Sequence, residues 1–507
     1  MKKTKQILSI LMAVLMAFSV LAVSAGAAED GDRALVVGTT SATCGFDPAM
    51  EYCDIGGALV YDTLFVFNPD SGELEPRLAE SWEYLDDTTL QIKLRDDVYF
   101  TNGEKLCADD VLFTLQRFIT EGSRRANYFQ AYDFENCEIV DDLTINLKTF
   151  EPFGPQINYL AQQFCSILCK SYVESNDPES FWDQPNGTGP YVCTENISGS
   201  YASYERKADY WGDLPEAETI TVKSYSEAST MAIDLENGAL DMAFNLSSSD
   251  AERLLNETPE NLDVILAPKH DSFNLCLPEY VEAFDDVRVR EAIAYGIQRE
   301  AIAGIGLGIL GAPAVSSMPS GVDYQIDVYD YEYDPGKARD LLAEAGYSAG
   351  DINLKMVCFI GEQTAMGEAL QAFLAEIGIN LSVESYDPPT AVPMFMSGDT
   401  DMVWNSLGST SACDPAQVYA NTGETSTNAS ARIEDEAVVT ALREGSATVD
   451  PEVRRTSYES VQQWLQDNCR YIPICDINVC YAFNNAKIAE FNSTTPAGPN
   501  LCFVHFA

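Results

Sequence analysis

The chain has 507 residues, 46% of them hydrophobic and 21% charged, which is core material for two or three domains at roughly 100–200 residues each and excludes wholesale disorder. A formal net charge of −49 excludes nucleic acid and anionic lipid as partners and suits a solvated acidic exterior that also draws cationic solutes. Fourteen cysteines and two histidines, His270 and His505, are too scattered for a dense disulfide scaffold and leave little for a structural zinc, so no metal or cofactor is expected.

In chain order, Lys2, Lys3 and Lys5 precede the apolar run ILSILMAVLMAFSVLAV and the small residues Ala25-Gly26-Ala27. That is the pattern of a secretory signal peptide over residues 1–28, with a membrane anchor of about 17 residues as the rival. Removing it, with three lysines and no acid, takes the net charge from −49 to −52. No cysteine follows the apolar run to accept a lipid; the first is Cys44. In an oxidising setting some cysteines pair, and in a reducing one they stay buried thiols.

ALVVGTT is a short strand. TLQIKLRDDVYF and LTINLKTF alternate at the period of half-buried strands, and DDVLFTLQRF between them is an amphipathic helix, so residues 71–184 form a strand-rich module. The character then changes. ITVKSY, STMAIDLEN with Gly238 as a stop, and DMAFN make a β-α-β unit. DVRVREAIAYGIQREAI predicts one long helix, and PGKARDLLAEAGY a second, capped by Gly346. INLKMVCF, EALQAFLAEIG, INLSVESY, AVPMFMSG and DMVWN continue the strand–helix alternation that specifies parallel sheets flanked by helices.

One signature occurs twice: Gly-Ala-Leu-Asp-Met-Ala-Phe-Asn, ending at Asn245, and Gly-Asp-Thr-Asp-Met-Val-Trp-Asn, ending at Asn405. Each follows a helix stopped at glycine and opens a buried strand that is expected to end at the aromatic–Asn pair. Ligands of open α/β sheets bind beyond the carboxyl ends of strands, so two such lobes facing each other make a cleft with one strand end from each side.

Two motifs mislead. Gly306-x-Gly308-x-x-Gly311 follows a helix rather than a strand, which argues against a dinucleotide site. Gly346-Tyr347-Ser348-Ala349-Gly350 has helix before and strand after, the reverse of a nucleophile elbow. With His270 and His505 as the possible bases, a Ser-His-acid triad finds no support.

PRLAESWEYLDD, IKLRDDVYFTNGEKLCADDVLFTLQR, GTGPY, ADYWGDLP, FDDVRVREAIAYGIQREAI and YEYDPGKARDLLAEAGY stand in the order of the family 5 extracellular solute-binding proteins. The chain resembles these peptide- and nickel-type receptors of ABC importers from about residue 34 to about 485. The resemblance implies an α/β, two-lobed periplasmic-binding-protein-like fold with an extra domain inserted in the first lobe. Lobe I would comprise 29–70, 185–268 and 483–507, the insertion 71–184, and lobe II 269–482. It further implies a monomer, exported to the periplasm or the outer face of the cell membrane, that closes its lobes on a solute and delivers it to ABC permease subunits. An oligopeptide is the first ligand class. A non-peptide solute (a sugar, an opine-like compound or a metal complex) is the alternative, and a secreted hydrolase the enzyme reading.

By the same resemblance Asn245 lies on one rim of the cleft and Trp404-Asn405 on the other. Peptide-binding members hold the ligand's amine with an Asp that here aligns with Ser411 or Thr410, and its carboxylate with an Arg absent from Val357–Glu362. Glu51, Glu362 and Asp414 remain as candidate anchors for a cationic group. Phe46, Tyr52 and Trp404 are candidates for apolar or stacking surface, and Ser409-Thr410-Ser411 for polar groups of the ligand.

Overall fold

The computed structural model describes residues 33–41, 45–52, 54–68, 73–120, 123, 125–176, 184–408, 414–420, 422–423, 426–491 and 500–507. The expected signal peptide lies outside them. After strand β1 (Ala34–Thr39), the insertion builds an antiparallel sheet from β2 (Ala79–Asp86), β3 (Thr89–Leu94), β4 (Glu138–Asp141) and β5 (Thr144–Lys148), in the order β2-β3-β5-β4. The predicted alternation is met: Leu90, Ile92, Leu94, Ile145 and Leu147 are all buried. Helix α1 (Ala108–Arg117) covers this face, and its first turn is fixed by a capping box between Cys107 and Asp110. Ala49, Leu64, Phe65 and Phe67, upstream of residue 71, join the same core.

Lobe I continues with β6 (Tyr191–Ile197), β7 (Tyr201–Arg206), β8 (Thr219–Ser224), α2 (Ala228–Glu236), β9 (Met242–Phe244) and α3 (Ser248–Asn256). The long strand β10 (Leu262–Cys276) then carries the chain into lobe II. There follow α4 (Val287–Gly296), α5 (Arg299–Leu307), α6 (Pro335–Glu344), β11 (Asn353–Phe359), α7 (Glu362–Glu376), β12 (Asn380–Tyr386), α8 (Pro388–Ser397), β13 (Val403–Gly408) and α9 (Pro451–Asp467). Strand β14 (Tyr471–Asn484) returns to lobe I. The main sheet runs β6-β7-β8-β1-β9-β14-β10-β13, with Gly311–Pro313 added on β14.

The sequence predicts one helix over Asp286–Ile302, and the structure has two. The chain breaks at Ile297, extended at φ −118° and ψ 141° and 2% exposed. Tertiary packing overrides propensity here. Gly296 sits so tightly on Ile377 that a Cβ would lie 2.6 Å from its Cδ1, and Ile297 turns inward instead of continuing the turn. Gly308, at φ +54°, closes α5, so the glycine-rich run is a helix exit.

The repeated signature proves to be a strand-entry clamp, used once per lobe. Asp241 donates its amide to the Val36 carbonyl at 2.7 Å, and its Oδ2 accepts the Val36 amide at 2.7 Å. Asp401 does the same to Lys355, at 2.7 Å in both directions. The register matches as well: Val37 pairs with Met242 and Met356 with Met402, in parallel in both cases. Each Asp closes a ring on the entrance of a neighbouring parallel strand where the ladder has no other partner to give. Asp401→Ala is expected to leave the Lys355 amide unpaired and to cost about 1–3 kcal/mol. The check is a lower urea midpoint at unchanged slope, with Asp401→Asn, which keeps an acceptor, recovering most of it.

Candidate ligand site at the lobe junction

Strands β10 and β14 pair antiparallel from Leu262↔Asn484 to Cys276↔Tyr471, so one two-stranded ladder spans both lobes. Ala267, Tyr481 and Phe483 are fixed in the core of lobe I, and Phe273, Leu275, Ile472 and Cys475 in that of lobe II. Between them the register slips after Pro268, and His270 takes φ +58°. The bulge marks where the ladder bends.

The two signature strands approach this crossing head to head. Strand β9 ends at Phe244, and Asn245 leaves it exposed at φ +58°, with the Leu246 amide on the Cys480 carbonyl at 3.2 Å. Strand β13 does not stop at Asn405 as expected but continues to Gly408, opposite Asp271 at the bulge. The halves also touch away from the crossing. The Gly154 amide of the insertion donates to Ser446 O at 2.7 Å, and Gln417 Nε2 to Tyr128 Oη at 2.9 Å. Lobe I's Ser248 Oγ accepts the Ile309 amide at 3.2 Å.

Pleating decides what each crossing residue does, because neighbours on a strand face opposite ways. Phe273, Leu275 and Trp404 point to one side, into the core under α7. Ser272, Asn274 and Asn405 point to the other, with Asn274 opposite Asn405 and Ser272 opposite Asp476. This second face is buried and mixed: Ser272 and Asn274 are 0% exposed, Asp476 6% and Asn405 8%, and Cys276, Val403 and Leu407 on the same side join a second apolar cluster of lobe II. Asn274 Nδ2 donates to Ser272 Oγ at 2.9 Å and to Ser317 O at 3.2 Å. The Ser317 hydroxyl meets the Tyr419 hydroxyl at 2.8 Å. The Ser320 amide donates to Asp476 Oδ2 at 3.2 Å, and the Ser320 carbonyl meets His270 Nδ1 at 3.1 Å. Asn274 Oδ1, Asn405 Nδ2 and Asp476 Oδ1 have no hydrogen-bond partner among the described residues. Burial pushes the Asp476 carboxyl up to about 6 and lowers His270.

The sequence matches the family model described as bacterial extracellular solute-binding proteins, family 5 middle, over residues 73–429. The chain belongs to that family. It is 27% identical over 491 residues to the di/tripeptide-binding protein 2 of Pseudomonas aeruginosa, covering 90% of this chain and 92% of that one. It is 27% identical over 393 residues to the heme-binding protein A of Haemophilus influenzae, covering 71% and 72%. Among solved structures, HbpA2 from Haemophilus parasuis superposes with a TM-score of 0.83 over 94% of this chain and 100% of that one, at 23% identity. The two-lobed α/β fold is therefore that of the family 5 binding proteins.

Several anchors expected for a member of this family change role. Trp404, 4% exposed, is a core residue whose indole N–H donates to Gln363 O at 3.0 Å; the strand runs past it, so its ring never reaches the gap. Phe46, 0% exposed, packs in the lobe I core with Leu59 and Tyr61. Asp414, 2% exposed, is held by Arg454 Nη2 at 2.9 and 2.8 Å, by the Ala416 amide at 2.9 Å and by Asn158 Nδ2 of the insertion at 3.2 Å. Its charge is already paired. Glu362 is exposed in the first turn of α7. Glu51 and Tyr52 pair in backbone with Asp47 and Phe46, their side chains lying outside the described set, and Ser409, Thr410 and Ser411 fall outside the described residues.

The sequence reading missed Asp476, Asn274 and Ser272. The signal for Asp476 is present in YIPICDINVCYAF, where one acid interrupts a strand otherwise free of charge. All eleven described cysteines are free thiols, eight of them buried.

Two outcomes follow from this geometry. Arg454→Met strands the buried Asp414 carboxylate and is expected to cost about 3–5 kcal/mol; adding Asp414→Leu should restore much of it in the same denaturation assay. For Asp476, the folded carboxyl titrates above its unfolded value, so the folded state binds more protons between about pH 4 and pH 6. Stability falls as pH rises through that window, by on the order of 3 kcal/mol if the full displacement is expressed. His270, lowered by burial, slopes the opposite way, so the measurement is the difference in midpoint between the natural chain and Asp476→Asn across pH 4–8. The substitution should remove the Asp476 contribution.

Proposed function

We propose that this chain is an extracytoplasmic receptor that captures a peptide between its lobes and delivers it to an ABC-type permease, acting by binding without turnover. The observation that carries the reading is the head-to-head arrival of β9 and β13 at a two-strand crossing lined on one face by buried polar groups. Bending at the bulge brings two strand ends onto one ligand, and closure excludes water from its hydrogen bonds. The Pseudomonas aeruginosa relative that aligns over nine-tenths of the chain is a di/tripeptide-binding protein, which supports peptide as the ligand class.

Export follows from the signal peptide expected over residues 1–28, and no described helix is long and apolar enough to cross a membrane. The acidic exterior suits a monomer that stays dispersed outside the membrane.

The test is to purify the chain from cells grown in rich medium and to compare its mass under native and denaturing conditions. A set of short peptides released on denaturation is the expected result. Release of one non-peptide solute, or an empty chain that ignores a peptide mixture, would remove peptide from the reading and leave the receptor fold.

A further inference from the structure

We infer that the inserted domain is the latch of the closed receptor: its segment 153–160 docks on lobe II through the Gly154 amide and the Asn158 carboxamide, and this contact sets how firmly a captured ligand is retained. The inference rests on the receptor reading above and adds to it which domain fastens the lobes and by which residues.

The first observation is a helix end completed by another domain. The last carbonyls of a helix have no partner within it. At the end of the helix Glu436–Ser446, the Gly445 carbonyl takes Arg454 Nη1 at 3.0 Å, and the Ser446 carbonyl takes the Gly154 amide at 2.7 Å. Arg454 holds the rest of the seat. Its Nη1 also reaches Thr448 O at 3.4 Å, and its Nη2 grips Asp414 at 2.9 and 2.8 Å. Asn158 of the insertion then donates to Asp414 Oδ2 at 3.2 Å. Lobe II assembles the acceptors, and the insertion brings the donors.

The second observation is why residue 154 is a glycine. A Cβ there would lie 2.0 Å from Thr448 O and 2.6 Å from Arg454 Nη1, both in lobe II. Gly154 does not take a positive φ, so its own backbone conformation does not ask for glycine. The close approach to lobe II does. A side chain at this position obstructs the docked state and leaves the insertion itself undisturbed.

The third observation is the form of the contact. Phe153 and Tyr128 each meet the Tyr159 ring edge-on, with centroids 5.4 Å apart in both cases, so the docking segment is braced from within the insertion. Tyr128 Oη also accepts Gln417 Nε2 of lobe II at 2.9 Å. Clefts of about 320 and 330 Å³ flank the contact, one lined by Gly154 and Thr448 and the other by Glu151 and Ser446. They give water a path to the Gly154 amide and the Ser446 carbonyl when the domains part, so opening strands neither group. Hydrogen bonds that water replaces at small net cost suit a contact that forms and breaks in each cycle.

The test is Gly154→Ala in the full mature chain, read by hydrogen exchange and by Kd and dissociation rate for a synthetic tripeptide library. The variant is expected to exchange faster than the natural chain at residues 153–160 and 445–448 together, with 262–276 and 471–484 unchanged. It should lose at least about 10-fold in peptide affinity, mainly through faster dissociation. Asn158→Ala, which adds no atom, should move both readouts the same way by a smaller amount, and it supplies the comparison should Gly154→Ala fail to fold. Natural exchange at both segments in the folded variant, or faster exchange with unchanged peptide affinity, overturns the latch and leaves the receptor reading standing. A natural chain that takes up no peptide overturns peptide as the ligand class, and the exchange comparison on the ligand-free chain then decides the latch by itself.

Discussion

The rest of the structure hangs on one ladder, the antiparallel pairing of β10 with β14. It joins the two halves of the main sheet, with β9 and the other lobe I strands on one flank and β13 on the other. Its pairing runs from Leu262↔Asn484 in lobe I to Cys276↔Tyr471 in lobe II, so both halves are built on the same two strands. The register slips after Pro268, where the chain passes between the lobes, and again between Phe273 and Asn274 within lobe II, and each slip is a place where the ladder bends. His270 at φ +58° is a non-glycine residue in the left-handed region, a strain of about 1–3 kcal/mol that persists only where the surroundings impose it. The Ser320-Gly321 turn does so: it bonds the imidazole, and it packs so closely that a Cβ on Gly321 would lie 2.4 Å from the ring.

Building a hinge from a ladder fixes what the site can contain. Side chains on the crossing alternate between two buried faces of lobe II, one wholly apolar and one that mixes Ser272, Asn274 and Asn405 with Cys276, Val403 and Leu407. Phe273, Leu275 and Trp404 lie on the apolar face. An all-apolar crossing would be more stable, since each unfilled polar valence in the interior costs free energy.

Much of the architecture is legible in the sequence because periodicity depends on local geometry. The alternation at Leu90, Ile92 and Leu94 and the glycine stops at Gly238, Gly346 and Gly398 each survive in the structure, the three glycines at φ between +73° and +92°. The break at Ile297 was not legible, because its cause is Ile377, eighty residues away. The site was less legible still. Trp404 and Asn405 are adjacent in sequence and face opposite sides of a sheet, and neither lies at a strand end because β13 runs on to Gly408, three residues later than the pattern suggested. Asp414 looked free because its partner, Arg454, lies forty residues on in a helix that gives no sign of facing it. What the repeated signature did report was the equivalence of the two lobes: its aspartates hold strand entrances, and its methionines are both fully buried.

The exterior and the junction use the same charge in different ways. Surface carboxylates are screened within about 8 Å at physiological salt and attract any cation weakly. A carboxylate in the junction acts through a lower effective dielectric, where a charge at contact distance is worth several times more than in bulk water. The net charge of −49 therefore raises the local concentration of cationic solutes without choosing among them. Choice needs a buried group with its valences fixed by neighbours. Asp414 is buried but already neutralised by Arg454, so its pairing strengthens lobe II and frees nothing for recognition.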